Sequence, residues 1–183
     1  MNALLGQKLL ANLVTISVFL FSSFKGNDAS FSAMHVQNSG NYLILQTHLE
    51  NSFENDFQEI FQSGKQVDVW FNLEVKQNRN LLQKQEFRHS VQYDPLSAAY
   101  KVYLQEQKTT RVVRDYADMV QLISDVEYTL PPKPGWSKID IHLDSFLKKM
   151  PMESTNKEID LMMLWKLKKP VCKISLDLKA YES

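Results

Sequence analysis

From Val67 to Val75 hydrophobic and polar side chains alternate without a break. Val67, Val69, Phe71, Leu73 and Val75 are separated by Asp68, Trp70, Asn72 and Glu74. Successive side chains of a strand point to opposite faces, so this period of two predicts a half-buried strand. Phe87, His89, Val91 and Tyr93 repeat the pattern against Glu86, Arg88, Ser90 and Gln92. Asp94-Pro95 then supplies a turn, and Tyr100, Val102 and Leu104 return as the second arm of a hairpin. Later, Ile139, Ile141 and Leu143 alternate with Asp140, His142 and Asp144. Ile159, Leu161, Met163, Trp165 and Leu167 read as one face of a further strand. Cys172, Ile174, Leu176, Leu178 and Ala180 read as one face of the last. Near the start, Tyr42–Leu49 is a more uniformly apolar strand. The turn Asn38-Ser39-Gly40-Asn41 pairs it with an earlier one near Ser32–Gln37.

Two segments change period. In Ser52–Gln62 the residues Phe53, Phe57, Ile60 and Phe61 form one helical stripe, with Ser52 placed to cap the start and Gly64 to stop the end. In Arg114–Glu127, Tyr116, Met119, Val120 and Ile123 share a stripe opposite Asp115, Asp118 and Gln121. Pro131, Pro132 and Pro134 close that region. Clean alternation means that one face of each strand is wet, which is the mark of antiparallel sheet. The expectation is an α+β domain, mainly antiparallel β-sheet of about seven or eight strands, with the two amphipathic helices covering one sheet face or sealing the edge of a sandwich.

The first residues have a different character. A short basic start at Lys8 runs into Leu9–Phe24, which carries no charge, and polarity returns at Lys25, Asn27 and Asp28. This is the pattern of a secretory signal or a signal anchor. The run is a little shorter than the roughly 20 residues a spanning helix needs, and extending it back through Ala3, Leu4 and Leu5 brings it close. No small-x-small pair marks a cleavage site, so both forms stay open. No cysteine lies just beyond the apolar run, which excludes attachment of lipid at a processed N-terminal cysteine. The organisation expected is therefore residues 1–30 as signal peptide or single transmembrane anchor, and 31–183 as one strand-rich extracytoplasmic domain of ordinary size. The place expected for it is the periplasm, either free or anchored in the inner membrane.

Composition narrows the function classes. Lys and Arg total 21, as do Asp and Glu, so the net charge is zero. Nucleic acid, whose phosphates demand a basic surface, is not the expected partner. The single cysteine, Cys172, rules out an intrachain disulfide and the zinc-ribbon and CxxC motifs. There is no G-x-S-x-G nucleophile motif and no glycine-rich phosphate loop, so no cofactor is implied.

The order of elements resembles a known family. Gly40–Leu49, a helix ending Phe61-Gln62-Ser63-Gly64, the strand Val67–Val75, and His89-Ser90-Val91-Gln92-Tyr93-Asp94 followed by Tyr100 are similar in course to the bacterial DUF4390 family. The likeness runs from about Ala33 to Leu167, with the strand Cys172–Tyr181 beyond it. It implies an exported or membrane-anchored bacterial protein and brings no reaction with it.

Among residues that bear chemistry, Asp140, His142 and Asp144 share one strand face with neighbours about 7 Å apart, and are the weak candidates for a divalent metal if a further ligand joins them. The plainer reading is the solvated face of an amphipathic strand. His89 falls on an apolar face, where a core histidine satisfied by a partner is the expectation and a general base the alternative. Cys172 falls on an apolar face as an inert small hydrophobe. Trp70 and Tyr103, by contrast, stand on polar faces, and an exposed indole there is a candidate contact for a partner protein or a second sheet. Lys166, Lys168, Lys169 and Lys173 flank the Pro170 turn as a solvated basic end that could also touch anionic lipid. The function expected is a non-enzymatic envelope accessory module that binds another membrane or periplasmic protein, tethered to the membrane if its leader is uncut. The alternatives are a domain that binds an apolar ligand, and an enzyme that uses Asp140, His142 and Asp144 with a metal.

Overall fold

The computed structural model describes residues 26–151 and 158–181, so the leader expected over residues 1–30 lies outside it except for its last positions. In chain order the strands are β1 (Ser30–Phe31), β2 (His35–Asn38), β3 (Leu43–Glu50), β4 (Val67–Gln77), β5 (Asn80–Asp94), β6 (Ala99–Leu104), β7 (Thr109–Val113), β8 (Asp125–Leu130), β9 (Lys138–Leu147), β10 (Lys149–Pro151), β11 (Glu158–Asp160) and β12 (Val171–Asp177). The helices are α1 (Phe57–Gln62) and α2 (Tyr116–Ser124). The chain is thus mainly antiparallel sheet with two helices, as the alternation predicts. Among the described residues no helix is long and apolar enough to cross a membrane.

The larger sheet has six strands in the order β12-β9-β4-β5-β6-β7. The smaller is built on β3, with β1 and β2 paired to it and β8 also paired to it. A short hairpin, β10-β11, stands apart from both. The period-two faces turn inward as expected: Val67, Val69, Phe71, Leu73 and Val75 are buried, and so are Ile139, Ile141 and Leu143. The inner faces of the two sheets meet through rings, with Phe31 at 6.5 Å from Phe71 and Tyr128 stacked at 5.4 Å on Phe87. Met119 and Ile123 of α2 enter the same core. Each buried side chain of this size contributes roughly 1.5–3 kcal/mol.

Where the elements differ from expectation, local hydrogen bonding explains it. Helix α1 begins at Phe57 and not at Ser52. Ser52 does not cap it. Its hydroxyl donates to Glu50 O (2.9 Å), and its carbonyl accepts the indole N–H of Trp165 (2.7 Å). Asn55 at φ +55° also breaks any helix there. The stop at Gly64 (φ +80°) is as read. Helix α2 ends at Ser124, where the period switches from helix to strand and Asp125–Leu130 becomes β8. The stretch expected as a strand over Ile159–Leu167 leaves β11 at Asp160 and turns into a 3-10 helix, Leu161–Trp165. The Asp160 carboxylate accepts from Met162 N (3.0 Å) and caps that turn. Leu161, Leu164 and Trp165, at helical spacing, are the buried positions, while Met163 and Leu167 face solvent. Trp165 joins Phe53, Phe57 and Phe61 in one aromatic cluster.

The described chain is already packed at its start. Asn27 is buried and its N–H donates to Leu164 O (2.7 Å), just ahead of β1.

Candidate functional site

The outer face of the large sheet is the wet side of β4, β5, β6 and β9. Antiparallel register sets its neighbours. Phe146 of β9 lies opposite Trp70 of β4, which lies opposite Arg88 of β5. Trp70 and Phe146 stack, with centroids 6.3 Å apart and planes 19° from parallel. Three cations cover the pair: Lys148 Nζ is 3.2 Å from the Trp70 ring centre, Arg88 Cζ 5.3 Å from it, and Lys169 Nζ 4.5 Å from the Phe146 ring. Cation–π contacts of this kind contribute about 0.5–1 kcal/mol each at exposed sites. The Trp70 Nε1–H is buried and has no hydrogen-bond partner among the described residues.

Tyr103 is on the same face, in the next row, opposite Ser90 on β5 and Thr110 on β7. One strand, β5, separates it from the strand of Trp70, two interstrand spacings or about 10 Å laterally, and Arg88 lies between. The structure therefore brings the two sequence-predicted aromatic residues to one surface without contact. Next to Tyr103 runs an open groove of about 250 Å³ that Arg88, Ser90, Gln92 and Lys101 also line.

Asp140, His142 and Asp144 also lie on this face, but they do not converge. Asp140 accepts from Ser175 Oγ (2.5 Å), and Asp144 accepts from Asn72 Nδ2 (2.8 Å). His142 stands between Glu74 of β4 and Lys173 of β12. Burial, aided by the positive charges of Lys173 and Lys76, holds the His142 imidazolium form down. Among the described residues no group of three His, Cys, Asp or Glu side chains is placed to hold a metal ion. The two carboxylates are turned instead to separate partners on the neighbouring strands, Ser175 of β12 and Asn72 of β4.

His89 is fully buried with two partners rather than one: Nδ1 is 2.9 Å from Ile123 O, and Nε2 is 3.0 Å from Glu106 Oε1. A carbonyl only accepts, so Nδ1 carries a proton, and Nε2 and the carboxylate share the other hydrogen bond. Glu106 has its backbone in the β6–β7 turn and its side chain 2% exposed. No sequence pattern marks it, since a Glu in Gln105-Glu106-Gln107-Lys108 reads as turn surface. The pair sits behind Phe71 and Phe87, sealed from solvent.

A second cavity, about 360 Å³ and open to solvent, lies between the β2–β3 turn and the Pro132–Gly135 loop, with Trp136, Leu43 and Leu178 on its walls. Cys172 is half-buried, and that burial pushes its thiol up to about 11 against a smaller opposing effect of the Thr47 hydroxyl.

The family model of the domain of unknown function DUF4390 matches residues 26–133, over half of the chain. The chain belongs to the DUF4390 family. The DUF4390 match begins just before β1 and ends in the proline-rich loop before β9. It therefore starts and stops earlier than the likeness read from the sequence. It takes in Trp70, Arg88, Ser90 and Tyr103 but not Phe146 or Asp140, His142 and Asp144. Comparison with curated proteins and with solved structures found no match.

Proposed function

We propose that this protein is a non-enzymatic accessory module of the bacterial cell envelope. In this reading the N-terminal apolar segment exports or tethers the chain, and the outer face of the large sheet docks another envelope protein. The observation that carries the reading is the Trp70–Phe146 pair. It is a stacked aromatic surface on the solvent side of a sheet whose other side is already packed. Tryptophan, tyrosine and arginine dominate the energy of protein interfaces because each combines a large apolar body with a polar handle. Trp70 and Phe146 bring the apolar rings to this face, and Tyr103 and Arg88 bring the polar groups. The absence of an enzymatic role is supported by His89, whose two nitrogens are both engaged inside the core, and by the separate engagement of Asp140 and Asp144.

The test is site-specific photo-crosslinking in the cells that make the protein. Benzoylphenylalanine is placed in the full chain at Trp70, at Tyr103 and, as control, at the exposed Gln37 of β2 on the other sheet. A discrete adduct from positions 70 and 103 that is missing from 37 is expected. No adduct from either, or the same adduct from all three, overturns the docking face. Membrane fractionation with N-terminal sequencing tests the location: an intact chain with its leader uncut, dissolved in the cytosol, overturns export and tethering together.

A further inference from the structure

The groove beside Tyr103 has the makings of a specific subsite. Ser90 is 7% exposed, yet its hydroxyl has no hydrogen-bond partner among the described residues, and it lines the groove. Buried hydroxyls are nearly always paired, so an unpaired one at the wall of a groove awaits an outside group. The charges around it do not cancel. Asp68 is spent on both oxygens, with Gln66 Nε2 at 2.8 Å on one and Arg88 Nη1 at 3.1 Å on the other. Arg88 thereby neutralises Asp68, while the remaining N–H groups of its fork stay available. Lys101 on the opposite wall is exposed and makes no ion pair among the described residues. The local balance of Arg88, Lys101 and Asp68 is therefore one positive charge.

We infer that this groove receives an acidic side chain from an extended segment of a docking protein. The inference rests on the docking reading above and adds the chemistry of the partner. A carboxylate there accepts from the Ser90 hydroxyl and lies against Lys101 and the free edge of Arg88, a charge-assisted arrangement stronger than neutral hydrogen bonds. The groove is open and shallow, whereas sites for free small molecules bury most of the ligand. Arg88 belongs both to the groove and to the cover of Trp70. A segment laid across the face thus puts its acidic residue in the groove and runs on toward the cation-covered Trp70–Phe146 pair beside it.

The experiment measures anisotropy of a fluorescein-labelled hexaglutamate peptide against the full chain in neutral detergent. Binding is expected, with Lys101→Glu weakening it about tenfold or more and Lys101→Gln weakening it less. Lys138→Gln, which removes a cation at the far end of the same face, is expected to leave it within about twofold, since screening confines such effects to roughly 10 Å. Lys101 is exposed, so unchanged melting curves are expected for both of its variants. Equal effects of the Lys101 and Lys138 substitutions, absence of hexaglutamate binding, or displacement of the peptide by equimolar glutarate or inorganic phosphate would each overturn the inference. Survival of the position-70 crosslink in the Lys101→Glu chain would defeat the acidic-segment inference alone. Loss of every crosslink in the unmodified background would defeat the docking reading itself.

Discussion

Replacing Glu106 by alanine tests the one feature of the core that a surface view would miss. The residue belongs to a turn, where substitutions ordinarily change stability by no more than about 0.5 kcal/mol. Its side chain, however, is 2% exposed and meets His89 Nε2 at 3.0 Å. His89 is committed on its other side, where Nδ1 donates to Ile123 O at 2.9 Å. The imidazole therefore cannot tautomerise or rotate to rescue the orphaned nitrogen without losing that second bond. Stranding a buried polar atom costs about 1–3 kcal/mol, and the void left by the truncated side chain adds to it. Glu106→Ala should thus lose about 3 kcal/mol, a fall in melting temperature of roughly 6–12 °C for a chain of this size.

Glu106→Gln is the sharper comparison. Its carboxamide N–H can donate to an Nε2 that carries no proton, keeping the bond and the volume, so a loss near 1 kcal/mol is expected. The assay is urea unfolding of the full chain in neutral detergent, followed by tryptophan fluorescence, with the midpoint and slope fitted separately so that a change in the unfolded state is not mistaken for lost stability. A loss below about 1 kcal/mol for alanine, or a glutamine variant no better than alanine, would refute the claim that this contact holds the β6–β7 turn to the core.

Two further measurements follow from groups with displaced titration. Glu74 lies between Lys76 Nζ at 2.7 Å and Lys84 Nζ at 3.1 Å, which hold its carboxyl down at about 2. A depressed carboxylate adds stability that is present above its unfolded pKa near 4.5 and is lost as pH falls toward 2; allowing for screening at the exposed lysines, the wild type should exceed Glu74→Gln by about 1–2 kcal/mol at pH 6, with the gap closing below pH 2.5, and a gap independent of pH would refute the ion-pair origin. With the Cys172 thiol at about 11, only about one molecule in a thousand carries thiolate at pH 8. Ellman's reagent should therefore react with the native chain some hundredfold more slowly than with the chain in denaturant, and equal rates would show that the residue is not held in the sheet edge.

The inner half of this fold was legible and the outer half was not, and one geometric fact accounts for both. Alternation states which side chains of a strand share a face, so the buried rows of β4, β5, β6 and β9 could be named residue by residue. Short segments escaped where the usual punctuation was absent. The β4–β5 turn is Asn78-Arg79, both at positive φ, without the glycine that signals such a turn, and the step from α2 to β8 occurs with no breaker between Ser124 and Asp125. Alternation is silent, however, on strand order. Trp70 meets Phe146 because β9 pairs with β4 across the chain, and His89 meets Glu106 because that one side chain of the exposed β6–β7 turn reaches into the core. Candidate chemistry in a sheet of this kind is made by such cross-strand neighbours. A row along one strand, like Asp140, His142 and Asp144, fixes only the spacing, and here its two carboxylates turn to separate cross-strand partners. A row across strands, like Phe146, Trp70 and Arg88, brings groups to contact distance, and it is there that a binding surface on an antiparallel sheet must be sought.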